Sequence, residues 1–414
     1  MIGGQGKDVF IDESHVKSGS AKTFVYDDLK KSNKVQLGKE AKDKRSDHRE
    51  KNIYDRRASH YETDFFVPLP IIASNPDDGF TLGLAALWTT YSFKKNPYAA
   101  LHSFNLTHAF ETKAWAFNYE GDYLNVFGHG DFFLEARIHN SAYAANFFGL
   151  GNDTRNENDI DFYRTRQSQI HLFPAFKKRV AGGSGNFKIG PIFELRDLEA
   201  TEDRFLITEF EEDPDADLYK QKSFAGAKIN FEFINLDNYI VPHRGIQFDV
   251  DLEFLGGLNN DATDFGTFRA SLAFYQSLDQ KENLVFAANT GFAHNIGNDF
   301  EFYHAPSLGG KKSLRGYRSE RFYGKTAFFQ NIDLRLRLFS SYNKTLPFTF
   351  GIYAGFDHGR VWEEEDTSDN WHYNYGGGFW IAPVDVLTFS FGVFTPREDF
   401  EESPRFTFKL GMGF

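Results

Sequence analysis

The feature that most constrains this chain is a strict alternation of apolar and charged residues over runs of about ten positions. Residues 246–254 (IQFDVDLEF) place five apolar side chains on one face and four polar ones on the other. Residues 328–338 repeat the pattern, with Asp333, Arg335 and Arg337 on the polar face. A period of two indicates β-strands. Strands in soluble proteins average about five or six residues, whereas a tilted membrane-spanning strand needs about 9–11, so the length predicts a transmembrane barrel with a charged interior.

Counting such segments gives sixteen strands, an even number as expected for a closed antiparallel barrel. We predict the strands at residues 64–74, 79–93, 98–110, 113–126, 130–140, 161–177, 185–197, 219–234, 245–256, 265–279, 283–294, 325–340, 346–358, 371–382, 385–395 and 404–414. Short connectors alternate with long ones, which fits periplasmic turns and outer loops. The predicted fold class is therefore all-β, a 16-stranded antiparallel transmembrane β-barrel over residues 63–414.

Residues 1–62 have a different composition, rich in Lys, Asp, Glu, Arg and Ser. A mixed-charge segment with few apolar residues cannot bury enough surface to offset its ordering entropy. We predict a mostly disordered polar linker or tail there. The formal net charge of −12 argues against a nucleic-acid partner, and the absence of cysteine excludes a thiolate metal site or a disulfide framework.

The first and last predicted strands both contain residues that weaken a sheet. Pro68 and Pro70 lie two positions apart, so both missing N–H groups face the same neighbour. Gly411 and Gly413 lie in the last strand. We therefore predict a weak seam where strand 1 meets strand 16.

The long loop between predicted strands 11 and 12 contains Arg315, Gly316 and Tyr317, and predicted strand 13 contains Asp357 and Gly359. An arginine folded into a polar lumen needs a carboxylate, and a bidentate Arg–carboxylate pair is strong and directional. We predict that Arg315 pairs with Asp357 and fixes the loop inside the barrel. Asp333 on predicted strand 12 is a possible support.

Four motifs resemble the outer-membrane assembly-factor superfamily, which includes BamA- and TamA-type barrels, two-partner-secretion transporters and bacterial surface antigen barrels. They are the LRGY stretch 314–317, the GFDHG stretch 355–359, the D…PHRG turn at 237–245 and the terminal aromatic Phe414, which resembles a C-terminal signal. The resemblance implies a Gram-negative outer-membrane protein that assembles or translocates proteins. Its implied partners are outer-membrane lipid, lipopolysaccharide, and unfolded protein clients or a periplasmic domain.

Two alternatives stay open. Residues 65–83 and 146–153 resemble barrels fused to a metallophosphoesterase, which would make this chain a membrane anchor for an enzyme. The signatures of that enzyme (GDxH, GDxxD, GNH) are absent from the chain, and residues 1–62 are too short and polar to form POTRA domains. A passive pore is the other alternative.

No catalytic or cofactor motif is convincing, and we predict neither an enzyme nor a metal or cofactor site. His139 and Ser141 form an H-x-S pattern, but their parity places both in the lumen as ordinary polar residues. The acidic stretch 211–217 lacks the glycine and the twelfth-position glutamate of a calcium loop. We interpret it as a solvated outer loop that divalent ions could bridge to lipopolysaccharide.

Overall fold

The computed structural model describes most of the chain, with gaps. The described residues are 1–3, 6–15, 22–47, 63–75, 79–92, 95, 97–128, 130–142, 144–213, 215–297, 299–343, 346–364, 366–384, 387–397 and 404–413. Strands account for 59% of these described residues and helices for 5%, which confirms the all-β prediction. None of the helices in these ranges is both long and apolar enough to cross a membrane.

Each of the sixteen predicted strands has a counterpart. The long strands are β5 Phe65–Asn75, β6 Gly79–Thr90, β7 Ala100–Ala109, β8 Trp115–Phe127, β9 Gly130–His139, β11 Arg164–Val180, β12 Gly185–Glu199, β13 Lys222–Leu236, β14 Gly245–Gly257, β15 Phe265–Ser277, β16 Leu284–Ile296, β19 Thr326–Ser341, β20 Phe348–Trp362, β21 His372–Pro383, β22 Phe389–Pro396 and β23 Arg405–Leu410. Short strands β10 Ala144–Asn146, β17 Ser307–Leu308 and β18 Phe322–Tyr323 lie in the connections, as does a one-turn helix, α1 Ile160–Tyr163.

The long strands and β10 form one sheet of 17 strands. Strands β11 to β16 follow one another in sequence order, then come β19 to β23, then β5 to β9, and β9 pairs again with β11. The registers described from β11 to β23 are all antiparallel, for example Phe231 opposite Val250 in the β13–β14 pair. Each long strand therefore pairs with two other long strands, and β5 is a neighbour of β23.

Burial along the strands is reversed relative to a soluble protein. On β19, Asp333 and Arg335 are 3% and 5% exposed, whereas Leu334 between them is 45% exposed. On β14, Glu253 is 8% exposed and Phe254 is 50% exposed. Water would oppose such an exposed apolar face, and lipid favours it. The charged face is the inner one, as the alternation predicts.

The last strand is shorter than predicted. Its final ladder partner is Leu410, opposite Phe389, so the predicted extension to residue 414 is wrong for residues 411–413. Gly411 has φ +102°, a left-handed conformation that redirects the chain. Met412 is then buried against Tyr353 and Phe394. Phe414 lies outside the described residues.

Contacts divide the chain into two compact units. The larger comprises Leu69–Ala85, Phe104–Glu120 and Phe133–Phe414, and it contains β10–β23 with parts of β5–β9. The smaller comprises Met1–Pro68, Ala86–Ser103 and Gly121–Phe132. The predicted domain boundary between residues 62 and 63 falls at the edge of the described residues and stays a prediction.

The described part of residues 1–47 contains short strands, which differs from the expected disorder there. They are β1 Val9–Ile11, β2 Phe24–Val25, β3 Lys34–Gln36 and β4 Lys42–Asp43. β1 pairs in parallel with β3, and β2 pairs in parallel with β4. Phe10 and Val25 are the buried apolar side chains of this segment. Residues 48–62 lie outside the described residues.

Candidate functional site

The candidate site is built around the long connection between β16 and β19, residues 297–325. Its short strands β17 and β18 pair with each other, with Leu308 opposite Phe322. The segment between them bears the arginine motif, and its apolar side chains are inside, with Leu314 0% and Tyr317 2% exposed. They pack with Val361 of β20, so the loop folds against the wall.

Arg315 binds the carboxylate of Asp357 on β20. Its backbone N–H donates to Asp357 Oδ2 at 3.0 Å, Nε donates at 2.9 Å to Oδ2, and an Nη donates at 2.5 Å to Oδ1. The guanidinium also lies over the ring of Phe394, 4.1 Å from its centroid. Because Asp357 is fully buried, its charge has no water to solvate it and depends on these donors.

Asp333 and Arg335 of β19 complete a charge-balanced group with Arg315 and Asp357. An Nη of Arg315 donates to Asp333 at 2.8 Å, and Arg335 donates to the other oxygen of Asp333 at 3.0 Å. Asn374 of β21 adds a hydrogen bond to Asp357 at 2.6 Å. Burial by itself lowers the pKa of the Arg315 guanidinium, but Asp333 and Asp357 outweigh it and raise that pKa, so Arg315 stays charged.

Gly316 and Tyr317 bring the loop close to β21. A Cβ on Gly316 would lie 2.6 Å from Cβ of Asn374, so a side chain here would push the loop away. The Tyr317 hydroxyl donates to the backbone oxygen of Tyr373 at 3.1 Å. Gly359 of β20 faces Leu308 of the loop in the same way, since a Cβ there would lie 3.1 Å from a Leu308 methyl group.

A second attachment, which the sequence did not indicate, joins the beginning of the loop to β12 and β13. Nε2 of His304 lies 2.8 Å from Glu194 Oε1, and Glu301 forms an ion pair with Lys222. Burial lowers the pKa of His304 more than Glu194 raises it. The loop is therefore held on both sides of the arginine motif.

A third attachment joins the end of the loop to the long connection after β9. Arg321 is fully buried and donates to the hydroxyl and the backbone oxygen of Thr154, each at 2.6 Å. Glu320 accepts from the backbone N–H of Asn146 at 3.0 Å. The stretch 146–153, singled out above for its resemblance to phosphoesterase-fused barrels, thus packs against this loop.

Aromatic side chains join three long connections into one cluster, called here the cap. Phe147 and Phe302 have ring centroids 4.2 Å apart, and Phe147 also contacts Phe210 at 4.9 Å. Phe147 is 0% and Leu206 3% exposed. Three connections therefore share one apolar core: 144–159, 200–221 and 297–325.

The residues of the predicted seam lie as follows. Pro68 and Pro70 are on β5, while Gly411 and Gly413 lie beyond the last paired residue of β23. The backbone oxygen of Met412 accepts a hydrogen bond from Arg335, and that of Gly413 accepts one from Nζ of Lys409. Gly411 still donates its N–H to the backbone oxygen of Thr388, and two interior cations bind the two residues after it.

The H-x-S pattern at 139–141 and one histidine–carboxylate group lie outside this loop. Ser141 lies after the end of β9 and is exposed. Asp237, His243 and Glu282 lie close enough to share a metal ion. However, Asp237 Oδ1 accepts hydrogen bonds from the backbone N–H groups of His243 and Arg244, both at 3.0 Å. These bonds explain Asp237 as a residue that stabilises the turn.

Comparison with known proteins identifies the family. The Omp85 superfamily domain matches residues 23–414. BamA from Haemophilus ducreyi lacking POTRA domains 1–3 is similar, with a TM-score of 0.56 and 12% identity over 84% of this chain and 69% of that one. CdiB from Acinetobacter baumannii is similar with a TM-score of 0.54 and 9% identity, over 85% of this chain and 60% of that one. CdiB from Escherichia coli is similar with a TM-score of 0.54 and 12% identity, over 85% of this chain and 62% of that one. This chain therefore spans less than two thirds of the length of either CdiB protein.

No curated protein matches the chain. The structural likeness, at such low identity, shows the shared fold, and the family match covers almost the whole sequence. The resemblance drawn from the motifs is confirmed. The chain belongs to the Omp85 superfamily and is a β-barrel protein of the bacterial outer membrane.

Proposed function

We propose that this protein inserts or translocates polypeptides at the outer membrane by opening between β5 and β23. The observation that carries this proposal is the short last strand. β23 has 6 residues, whereas its neighbour β5 has 11 and includes two prolines, which donate no backbone hydrogen bond. After Leu410 the chain makes one more backbone hydrogen bond, from the N–H of Gly411 to the oxygen of Thr388 at 2.7 Å, and the oxygens of Met412 and Gly413 then accept hydrogen bonds from Arg335 and Lys409.

In this proposal the β16–β19 loop fixes the rest of the wall while the seam moves. Its contacts with β19, β20 and β21 through Arg315 and Tyr317, and with β12 through His304, lie away from β5. Opening the seam would therefore break few side-chain contacts of the loop. The exposed apolar band faces lipid, and acidic outer residues such as Asp213 could bind lipopolysaccharide through divalent ions. The mechanism needs no catalytic group.

Locking the seam tests the proposal. The chain has no cysteine, so only introduced cysteines react. Leu69→Cys on β5 and Phe406→Cys on β23 replace side chains that are 42% and 85% exposed. A cleavable bifunctional thiol reagent should join them and stop insertion of an outer-membrane polypeptide into proteoliposomes, and cleavage should restore it.

The matched control locks a fully paired position. Phe231→Cys and Val250→Cys lie directly opposite each other on β13 and β14. This lock should leave insertion unchanged. Equal activity of the locked and unlocked seam would rule out lateral opening. A large conductance that Arg315→Ala does not change would instead favour a passive pore.

A further inference from the structure

A small chamber beneath the arginine loop has a strongly cationic lining. Its volume is about 50 Å³, several times the roughly 10–15 Å³ that one water requires. The chamber is lined by five cationic side chains and one carboxylate: Lys311, Lys312, Arg315, Arg335, Lys409 and Asp333. Hydroxyl groups of Ser390 and Thr407 are also in the lining.

Most of this charge is not balanced within the chamber. Arg315 and Arg335 are balanced by the carboxylates of Asp333 and Asp357. Lys311 and Lys312, in contrast, are exposed, and they have neither a hydrogen bond nor an ion pair with any other residue that the structure describes. Neighbouring protein atoms desolvate the Lys311 ammonium and lower its pKa, and no carboxylate acts to raise it. Because both lysines are exposed and unpaired among the described residues, an anion that enters the chamber can bind them without first breaking an ion pair.

The chemistry of the lining indicates what such an anion would be. Ammonium groups and hydroxyls are donors for oxygen atoms, and Arg335 and Lys409 already bind the backbone oxygens of Met412 and Gly413. The positive charge of the lining disfavours a metal cation, and its many hydrogen-bond donors disfavour an apolar ligand. The volume accommodates one small group rather than a chain.

We propose that this chamber binds a single oxyanion group, a carboxylate or a phosphate, between Lys311, Lys312 and the hydroxyls of Ser390 and Thr407. The bound group balances the two lysines at the base of the arginine loop. The chamber is complete while the seam is closed, since its lining comes from the loop, from β19, β20, β22 and β23 and from the residues after β23, so anion binding can be measured without opening the seam.

The test uses the full chain in nanodiscs of phosphatidylcholine, with its lysines ¹³C-methylated so that they keep their charge. Inorganic phosphate and acetate are titrated at constant ionic strength set with chloride. The signals that disappear in Lys311→Gln and Lys312→Gln identify the two lysines. They should shift saturably, whereas Lys281, which lies in the β15–β16 turn, should follow only the bulk anion concentration. In the double variant, the affinity measured on the Lys409 signal should fall at least tenfold.

Two further outcomes are decisive. Nanodiscs that contain phosphatidylglycerol distinguish a lipid headgroup from a free anion, since a bound headgroup would shift the two lysine signals before phosphate is added. That result would support the proposed site and identify the bound anion as a lipid headgroup. Lysine signals that move no more than that of Lys281, in both membranes, would overturn the proposal, even if the seam lock blocks insertion.

Discussion

Replacing Arg315 by alanine should release the β16–β19 loop from the wall. The substitution removes every bond that Arg315 side-chain nitrogens make to Asp357 and Asp333, and it leaves Asp357 buried with Asn374 as its side-chain donor. Removing one partner of a buried ion pair typically destabilises the folded state by about 3–5 kcal/mol. Since about 1.4 kcal/mol corresponds to a factor of ten, loop opening should become about two to four orders of magnitude more frequent.

Backbone hydrogen exchange measures this opening directly. The N–H groups of Arg315 and Tyr317 donate to Asp357 and to the Leu314 oxygen, so both are protected while the loop is closed. Arg269→Ala is the matched control, because that interior arginine is 45% exposed and lies 3.5 Å from Glu253, a pair worth about 1 kcal/mol or less. Unchanged exchange at residue 317 in Arg315→Ala, with the wall intact, would refute the reasoning.

Three further predictions concern the attachments of the loop. Gly316→Ala should speed exchange of the loop by about one to two orders of magnitude, since overpacking against Asn374 costs about 1–3 kcal/mol. In the closed loop the pKa of His304 lies below its ordinary value of 6.5, so His304 binds a proton more readily when the loop is open. Loop opening, measured by hydrogen exchange, should therefore increase as the pH falls below about 6.5. His304→Gln should remove this dependence on pH. Phe147→Ala empties a fully buried site in the cap, which should destabilise the cap by about 3–5 kcal/mol and raise single-channel conductance.

The strands could be predicted because alternate residues of a barrel strand face lipid and the polar interior, which require apolar and polar side chains respectively. β19, predicted at 325–340, runs from Thr326 to Ser341. The error at the end of β23 has a local cause. Alternation placed Met412 on the lipid face with Phe408, but the left-handed Gly411 rotates it into the interior. A periodic pattern does not show where the backbone changes direction.

The site was only partly predictable. Arg315, Asp333 and Asp357 stood out because buried charges need partners and because their motifs resemble those of a family. The pairing of His304 with Glu194 had no such signal, since the two residues are 110 positions apart and neither lies in a motif. Arg321 likewise binds Thr154 across a separation of 167 positions. Such contacts depend on how the long connections pack, which spacing along the chain does not encode.

The central claim is that a client polypeptide passes between β5 and β23. Site-specific photo-crosslinking during insertion tests it most directly, with a photoreactive phenylalanine at Phe406 on β23 or at Phe254 on β14, which are 85% and 50% exposed on the lipid face. The account predicts that position 406 captures the inserting polypeptide and that position 254 does not. Equal capture at both positions, or capture only at 254, would contradict it.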